Sequence, residues 1–241
     1  MKLSDRLGRT RSKENYAFYY RNDTGITIVD SFHYDDGSEE KGEDTFEREP
    51  FVVKFSIPSL SVTEIGIIGL HVDPDTVVRE LTALADVFKA GQNKFKIDTL
   101  IAMGDFNAGC RYLSKKEEKL LSLKSDEYFW PIEYGTDTTL AATDCSYDRF
   151  IIGGAKLIEL AKSGDSSVFK FDSKYKLIKE KSMSVSDHYP IELFLPTKTV
   201  VPLSTTAITT ESSGVNPVNY KLSYSILYGA VLFIILLKML N

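Results

Sequence analysis

Four short polar clusters, each set at the end of an apolar run, constrain this chain more than anything else in it. They are Leu70-His71, Gly104-Asp105-Phe106-Asn107, Tyr147-Asp148-Arg149 and Ser186-Asp187-His188. The runs beside them are short and rich in β-branched or aromatic residues, which reads as strand. Residues 17–20, 27–32, 51–57 and 64–70 are four such runs, parted by turn-rich stretches; 99–103, 150–152 and 191–195 are three more. Residues 75–88 place Val77, Leu81, Leu84 and Phe88 on one face of a helical period. Ser114 and Glu117 have capping-box spacing for a second helix. Strands dominate, helices intervene, and polar motifs sit at strand ends. That pattern predicts an α+β fold, a two-layer β sandwich flanked by helices. Strand ends in such a fold converge on one rim, so the four clusters are expected to share a site.

The folded domain is expected to end near Pro196, where composition changes abruptly. Residues 197–225 form a Ser/Thr/Pro-containing stretch that reads as a linker. Within 226–241 the run ILYGAVLFIILL is uninterrupted and apolar, though shorter than the roughly 20 residues of a membrane span. Ser212-Ser213-Gly214, a spacer over 215–225 and that tail match the layout of a GPI-attachment signal. A plain tail anchor or a stray apolar terminus is the alternative. The first sixteen residues, MKLSDRLGRTRSKENY, hold no apolar core of a signal peptide.

Charge and cysteine usage narrow the function classes. A net charge of -5 with no Lys/Arg-rich block argues against a protein that coats nucleic acid through many phosphate contacts. It leaves a nuclease open, because an acidic metal site adds negative charge. Two cysteines outside any CxxC pair, with three histidines in all, argue against structural zinc. Cys110 and Cys145 are either buried thiols or one disulfide, the latter requiring an oxidising compartment. Asn22-Asp23-Thr24 is a glycosylation sequon, a match that also arises by chance.

The clusters suit phosphodiester hydrolysis. Two histidines titrating near neutrality can divide the work of base and acid, each needing a carboxylate on its other ring nitrogen. Carboxylate and amide oxygens would hold Mg2+ against the charge growing on phosphate. Singly, each cluster has a bland reading. His71 alone fits a structural histidine, Asp148 beside Arg149 fits a surface ion pair, and Asp105 fits a turn cap anchored by Phe106. GDFN and SDHYP together, in this order, are hard to produce by chance.

From about Ser4 through Pro196 the sequence resembles the deoxyribonuclease I family of the endonuclease/exonuclease/phosphatase superfamily. The resemblance is carried by LGR (7–9), KENYAFYYR (13–21), YDDG (34–37), DTFEREP (44–50), LH (70–71), MGDFNAGC (103–110), DTT (137–139), CSYDR (145–149) and SDHYP (186–190). It implies a four-layer α/β/β/α fold and a Mg2+- and Ca2+-dependent endodeoxyribonuclease leaving 5′-phosphorylated ends. Catalysis would fall to His71 oriented by Glu14 and His188 oriented by Asp148. Asp105, Asn107 and Asp187 would bind Mg2+ and the scissile phosphate. Arg9, Arg48 and Tyr147 match DNA-contacting positions, Arg48 having a plainer alternative as partner of the acidic loop 35–49. Asp36, Asp44, the Phe46 carbonyl and Glu49 match a structural Ca2+ site, and Asp137, Thr139 and Thr143 part of a second one. Cys110 and Cys145 match the family's large-loop disulfide. The implied partners are double-stranded DNA, a membrane through the tail and, from one family member, actin; the chain is expected to be a monomer of the secretory pathway or cell surface. With Ser38 and Lys41 where the founding enzyme has cysteines, the apolar tail points to the membrane-anchored branch.

Three departures stand against the pattern. Ala141 takes a position usually held by threonine at the second Ca2+ site, and Ser12 one often held by a minor-groove tyrosine. The family's opening segment, with its signal peptide, an active-site Asn on the first strand and a Mg2+-binding glutamate on the second, has no counterpart after Met1. The domain is therefore expected to be N-terminally truncated and to expose unpaired strand groups. The competing readings are a non-catalytic, binding truncation and a phosphoinositide phosphatase or sphingomyelinase of the same superfamily.

Overall fold

The alternation of side chains along five strands explains where this structure, a computed structural model, keeps its core. It describes residues 1–10, 13–198 and 233–237. The strands are β1 (Lys2–Leu3), β2 (Asn15–Tyr19), β3 (Thr27–His33), β4 (Phe51–Ser56), β5 (Glu64–Gly69), β6 (Leu100–Asp105), β7 (Tyr128–Phe129), β8 (Asp148–Gly153), β9 (Asp165–Val168), β10 (Ile191–Phe194) and β11 (Phe233–Leu237). The helices are α1 (Val77–Phe95), α2 (Lys115–Glu118), α3 (Ala155–Lys162), α4 (Phe171–Tyr175) and α5 (Lys179–Val185). Six strands form one mixed sheet in the order β3-β4-β5-β6-β8-β7. Only β5 and β6 run parallel within it, because α1 lies between them in the chain and supplies the crossover a parallel pair needs.

Residues of one parity on this sheet, Val52, Ile68, Leu100, Ala102 and Ile151, pack with Val77, Leu81, Leu84, Phe88 and Phe95 of α1. Those of the other parity, among them Phe51, Val53, Phe55, Ile65, Ile67, Ile101 and Phe150, meet Tyr16 and Phe18 of β2 and Leu157 and Ile158 of α3. The sheet is thus buried on both faces. Gly69 permits a close crossing, since a Cβ there would stand 3.1 Å from the Phe18 ring.

The α+β architecture with a helix-covered sheet follows the sequence expectation, with differences in detail. The second β layer is two separate small sheets, β1-β2-β11 and β10-β9. Helix α1 runs seven residues beyond its expected end at Phe88, because Gly91 and Phe95 continue its buried face. It stops at Lys96, which adopts a left-handed conformation with φ 57°. The capping box at Ser114 is present, with both reciprocal bonds made, but it opens a helix of only four residues. Of the expected linker, Thr197 and Lys198 are described; 199–225 lies outside the described residues. In the 226–241 segment, Phe233–Leu237 pairs antiparallel with β2; the rest lies outside the described residues. No described helix is long and apolar enough to cross a membrane.

Gly104 fixes how the strand ends meet. It sits at φ 144°, where a Cβ would come 2.1 Å from the Leu70 carbonyl oxygen, so β6 approaches the end of β5 only with glycine there. Gly104→Ala is expected to lower unfolding free energy by at least about 2 kcal/mol, from backbone strain and clash together. Urea denaturation against the parent chain measures it, and an unchanged midpoint would refute this account of the rim.

Candidate active site

The ladder between β6 and β8 ends on the pair Asp105↔Asp148. Asp105 shares parity with Ile101 and Met103, and Asp148 with Phe150 and Ile152, so both carboxylates lie on the face turned toward β2. His71 follows β5 on that same face, and Glu14 precedes β2 in step with Tyr16 and Phe18. Alternation alone therefore aims four polar groups into one gap between the layers.

His71 Nδ1 lies 2.7 Å from Glu14 Oε2, and His188 Nδ1 lies 2.8 Å from Asp148 Oδ2. With each Nδ1 so engaged, both Nε2 atoms face one carboxylate, at 3.5 Å (His71) and 3.8 Å (His188) from Asp105 Oδ2. A further row of contacts holds these groups still. Arg48 pairs with Glu14 Oε1 at 3.2 Å, and the buried Tyr16 hydroxyl accepts the His71 amide at 3.1 Å. Thr138 Oγ1 accepts the amides of Tyr147 and Asp148. Asn107, in a left-handed turn at φ 48°, donates its amide to Asp105 Oδ1 and its side-chain NH2 to the Val72 carbonyl. The Tyr147 ring lies against His188 and Tyr112, with centroids 6.0 and 5.4 Å away. Asp187 is exposed, and its charge bears on His188.

Electrostatics separate the two members of the His188 pair. Burial pushes the Asp148 carboxyl up to about 6, against the pull of its bond to His188. Burial pulls His188 down, but the bond to Asp148 and the charges of Asp148, Asp105 and Asp187 outweigh it and carry the imidazole up to about 9. His188 is therefore an imidazolium at neutral pH in the metal-free protein. Among the described residues, Asp105, Asp148 and His188 form a group of metal-ligand type with atoms within 4.8 Å of one another.

The acidic loop is a second cluster. Asp36 Oδ2 accepts the amides of Thr45 and Phe46, both at 2.7 Å, and the Phe46 ring anchors the loop in the α1-side core. Burial, with the charges of Asp36 and Glu49, raises the Asp44 carboxyl to about 6 despite Arg9. Asp44 Oδ1 and Glu49 Oε2 are buried and find no hydrogen-bond partner among the described residues. Orphaned carboxylate oxygens of this kind fit a hard cation such as Ca2+.

Two readings from sequence need correction. Arg48 partners Glu14, and it is Arg9 that holds the acidic loop, 3.2 Å from Glu47 and 3.9 Å from Asp44. Arg149 is no surface partner of Asp148: it is fully buried, on the opposite face of β8, and paired with Glu118 at 2.9 Å. Asp137, Thr139 and Thr143, matched to a second Ca2+ site, each carry other contacts. Asp137 is bonded to Lys170 and the Thr139 amide, while the Thr143 hydroxyl lies 3.5 Å from Cys145 Sγ. The two cysteines form a disulfide across 35 residues, a loop whose closure is worth about 4 kcal/mol. Sequence reading missed Thr138 and Arg149. Their signal lay in the DTT and CSYDR strings, where the neighbouring carboxylates drew attention instead.

The chain is 40% identical to Deoxyribonuclease-1 of Rattus norvegicus over 194 residues, covering 80% of this chain and 68% of that protein. It is 42% identical to Deoxyribonuclease-1 of Mus musculus over 195 residues, with the same two coverages. It thus spans about two thirds of the length of these relatives. No family model matches it. Among solved structures, an endonuclease/exonuclease/phosphatase from Bacteroides vulgatus aligns at TM-score 0.42 with 13% identity over 72% of this chain and 68% of that one. A D. rerio TDP2 complexed with single strand DNA product aligns at TM-score 0.45, again at 13% identity, over 73% and 75%.

The His188 shift has a pH consequence. A folded value near 9 against the ordinary 6.5 means that the charged form favours the fold. That contribution is complete below pH 6.5 and is lost as pH rises through 9. In EDTA, NMR titration of the ring should give an apparent value near 9, falling to 6.5 or below in Asp148→Asn. A wild-type ring already neutral at pH 7 would contradict the assignment.

Proposed function

Because the chain belongs to the deoxyribonuclease I family, we propose that it is a metal-dependent endonuclease that cleaves DNA phosphodiester bonds to 5′-phosphorylated ends. The observation that carries the reading is the convergence of two carboxylate-backed histidines on Asp105. The gap between them suits a phosphate with an entering and a leaving oxygen on opposite sides.

The roles follow from the partners of each imidazole. His188, held as imidazolium by Asp148, is suited to protonating the leaving oxygen. His71 takes the proton of the attacking water at Nε2, with Glu14 fixing Nδ1–H and stabilising the charge that develops. Arg48 keeps Glu14 in place and lends positive charge to the rim. Tyr147 and Arg48 are the groups we assign to the DNA strand, while Arg9 ties that rim to the acidic loop. Asp105, with Asn107 and Asp187 beside it, would hold Mg2+, which when bound offsets the negative charge growing on the phosphate. Asp36, Asp44, Phe46 and Glu49 would hold a structural Ca2+ away from the chemistry. The Cys110–Cys145 disulfide supports passage through an oxidising compartment of the secretory pathway.

Plasmid nicking by the full chain tests this. The protein should nick in Mg2+ with Ca2+ and fail in EDTA. His71→Ala and His188→Ala should each lower kcat by about 10²- to 10⁴-fold. Undiminished nicking in both variants would overturn the mechanism. Faster turnover of a phosphoinositide or sphingomyelin than of DNA would move the protein to another hydrolase class.

A further inference from the structure

The loop 137–140 carries His188. Leu140 donates its amide to the Asp187 carbonyl and Tyr189 donates to the Thr138 carbonyl, each at 2.8 Å. Thr139 and His188 form an antiparallel bridge between these bonds. The catalytic imidazole is thus stitched to this loop on both sides, and the same loop supplies the Thr138 hydroxyl that accepts the Asp148 amide. Whatever fixes the loop fixes the pair.

Its one carboxylate is Asp137, and both oxygens are engaged. Oδ1 accepts the Thr139 amide at 3.2 Å, and Oδ2 lies 2.6 Å from Lys170 Nζ. The hydroxyls of the two matching threonines have other contacts. Thr139 Oγ1 accepts the Ala141 amide at 3.4 Å, and Thr143 Oγ1 is at the disulfide. Ca2+ asks for six to eight oxygens at about 2.3–2.6 Å. This set does not fit it, and an ammonium already stands on the carboxylate.

Lys170 is itself well placed. It occupies the residue before α4, and its ammonium also lies 5.0 Å over the Tyr189 ring. Phe171 packs against Tyr189 at 5.6 Å, in a small core with Leu140. Phe169 donates its amide to the Pro190 carbonyl. The lysine is tethered on both sides to residues that flank His188. We infer that Lys170 is the loop's built-in cation: it takes the charge-neutralising place of a bound Ca2+ and acts as a positioning residue for His188 through Asp137. Lys170 is nearly half-exposed, so the pair contributes little to global stability and its effect is local.

The role in catalysis rests on the nuclease reading, but the core of the inference has a test of its own. Hydrogen exchange at the Leu140 and Tyr189 amides of the full chain should be indifferent to Ca2+. In Lys170→Met both amides should exchange about tenfold faster, while α1 amides stay unchanged. Lys170→Arg should keep wild-type protection. Adding Lys170→Met to Asp137→Asn should bring no further loss. In nicking assays, Lys170→Met should lower kcat by about tenfold with KM nearly unchanged, as expected of a displaced catalytic group. Unchanged exchange in Lys170→Met, or wild-type protection of these amides that needs Ca2+, overturns the inference. A chain that lacks nuclease activity yet shows the exchange pattern would sink the nuclease reading and leave the lysine in place.

Discussion

The buried guanidinium of Arg149 is the interaction on which the rest of the rim depends. It donates to the carbonyls of Ser146, Ile132 and Ala108, to the Ser146 hydroxyl and to Glu118, and it lies 5.6 Å from the Trp130 ring centroid. Four stretches of chain, around residues 108, 118, 132 and 146, are thereby tied to one point. Burial lowers its pKa, with Glu118 opposing the shift, and a charge so deep is tolerated only because every donor face is used. Ala108 and Ser146 flank Asn107 and Tyr147, and Asp148 is the next residue on the opposite face of the strand. The face that carries Asp105 and Asp148 is shaped from behind.

In front, strand parity does the work. A six-stranded sheet buried on both sides forces each strand to send alternate residues to different cores, so the last polar residue of a strand inherits its face from the apolar ones before it. Asp105, Asp148 and His71 inherit the face that β2 covers, and Glu14 inherits the face that β2 turns back toward them. Gly104 and Gly69 then bring the layers and strand ends closer than any side chain would allow.

Much of this was legible in the sequence because it is written in short-range pattern. Strands β2 to β6, β8 and β10, the start of α1, the capping box at Ser114 and the polar strand ends were visible, as were the pairings of His71 with Glu14 and His188 with Asp148 once the family resemblance was admitted; the short β1, β7, β9 and β11 were not. What escaped depends on tertiary environment. Arg149 beside Asp148 reads as an ion pair, because one-dimensional pattern does not say that neighbours on a strand face opposite ways into different cores. Lys170 belongs to a lysine-rich stretch from 170 to 181 that looks like a solvated face, and only the folded position of Asp137 singles it out. Arg48, expected as a possible partner of the acidic loop, reaches Glu14 instead, and Arg9 takes the loop, for the same reason. The division of the second layer into two small sheets follows from pairings between distant segments, which no local propensity encodes.

The chain's negative charge is resolved differently at each of its acidic sites, and that difference orders their functions. Asp148 and Glu14 are spent on histidines and Glu118 on Arg149, while Asp137 is closed by Lys170. Asp105 at the rim and the Asp44–Glu49 side of the acidic loop are among the described carboxylates that keep oxygens the neighbouring cations do not fully answer. A carboxylate already neutralised by a tethered side chain has little to offer an ion in water. One left facing two imidazoles, or buried without a donor, costs free energy until a cation arrives. Under the proposed function, divalent metal would be held at those two places and not at a third. That third place is the loop carrying His188, where a tethered ammonium holds the carboxylate with no dependence on ion concentration.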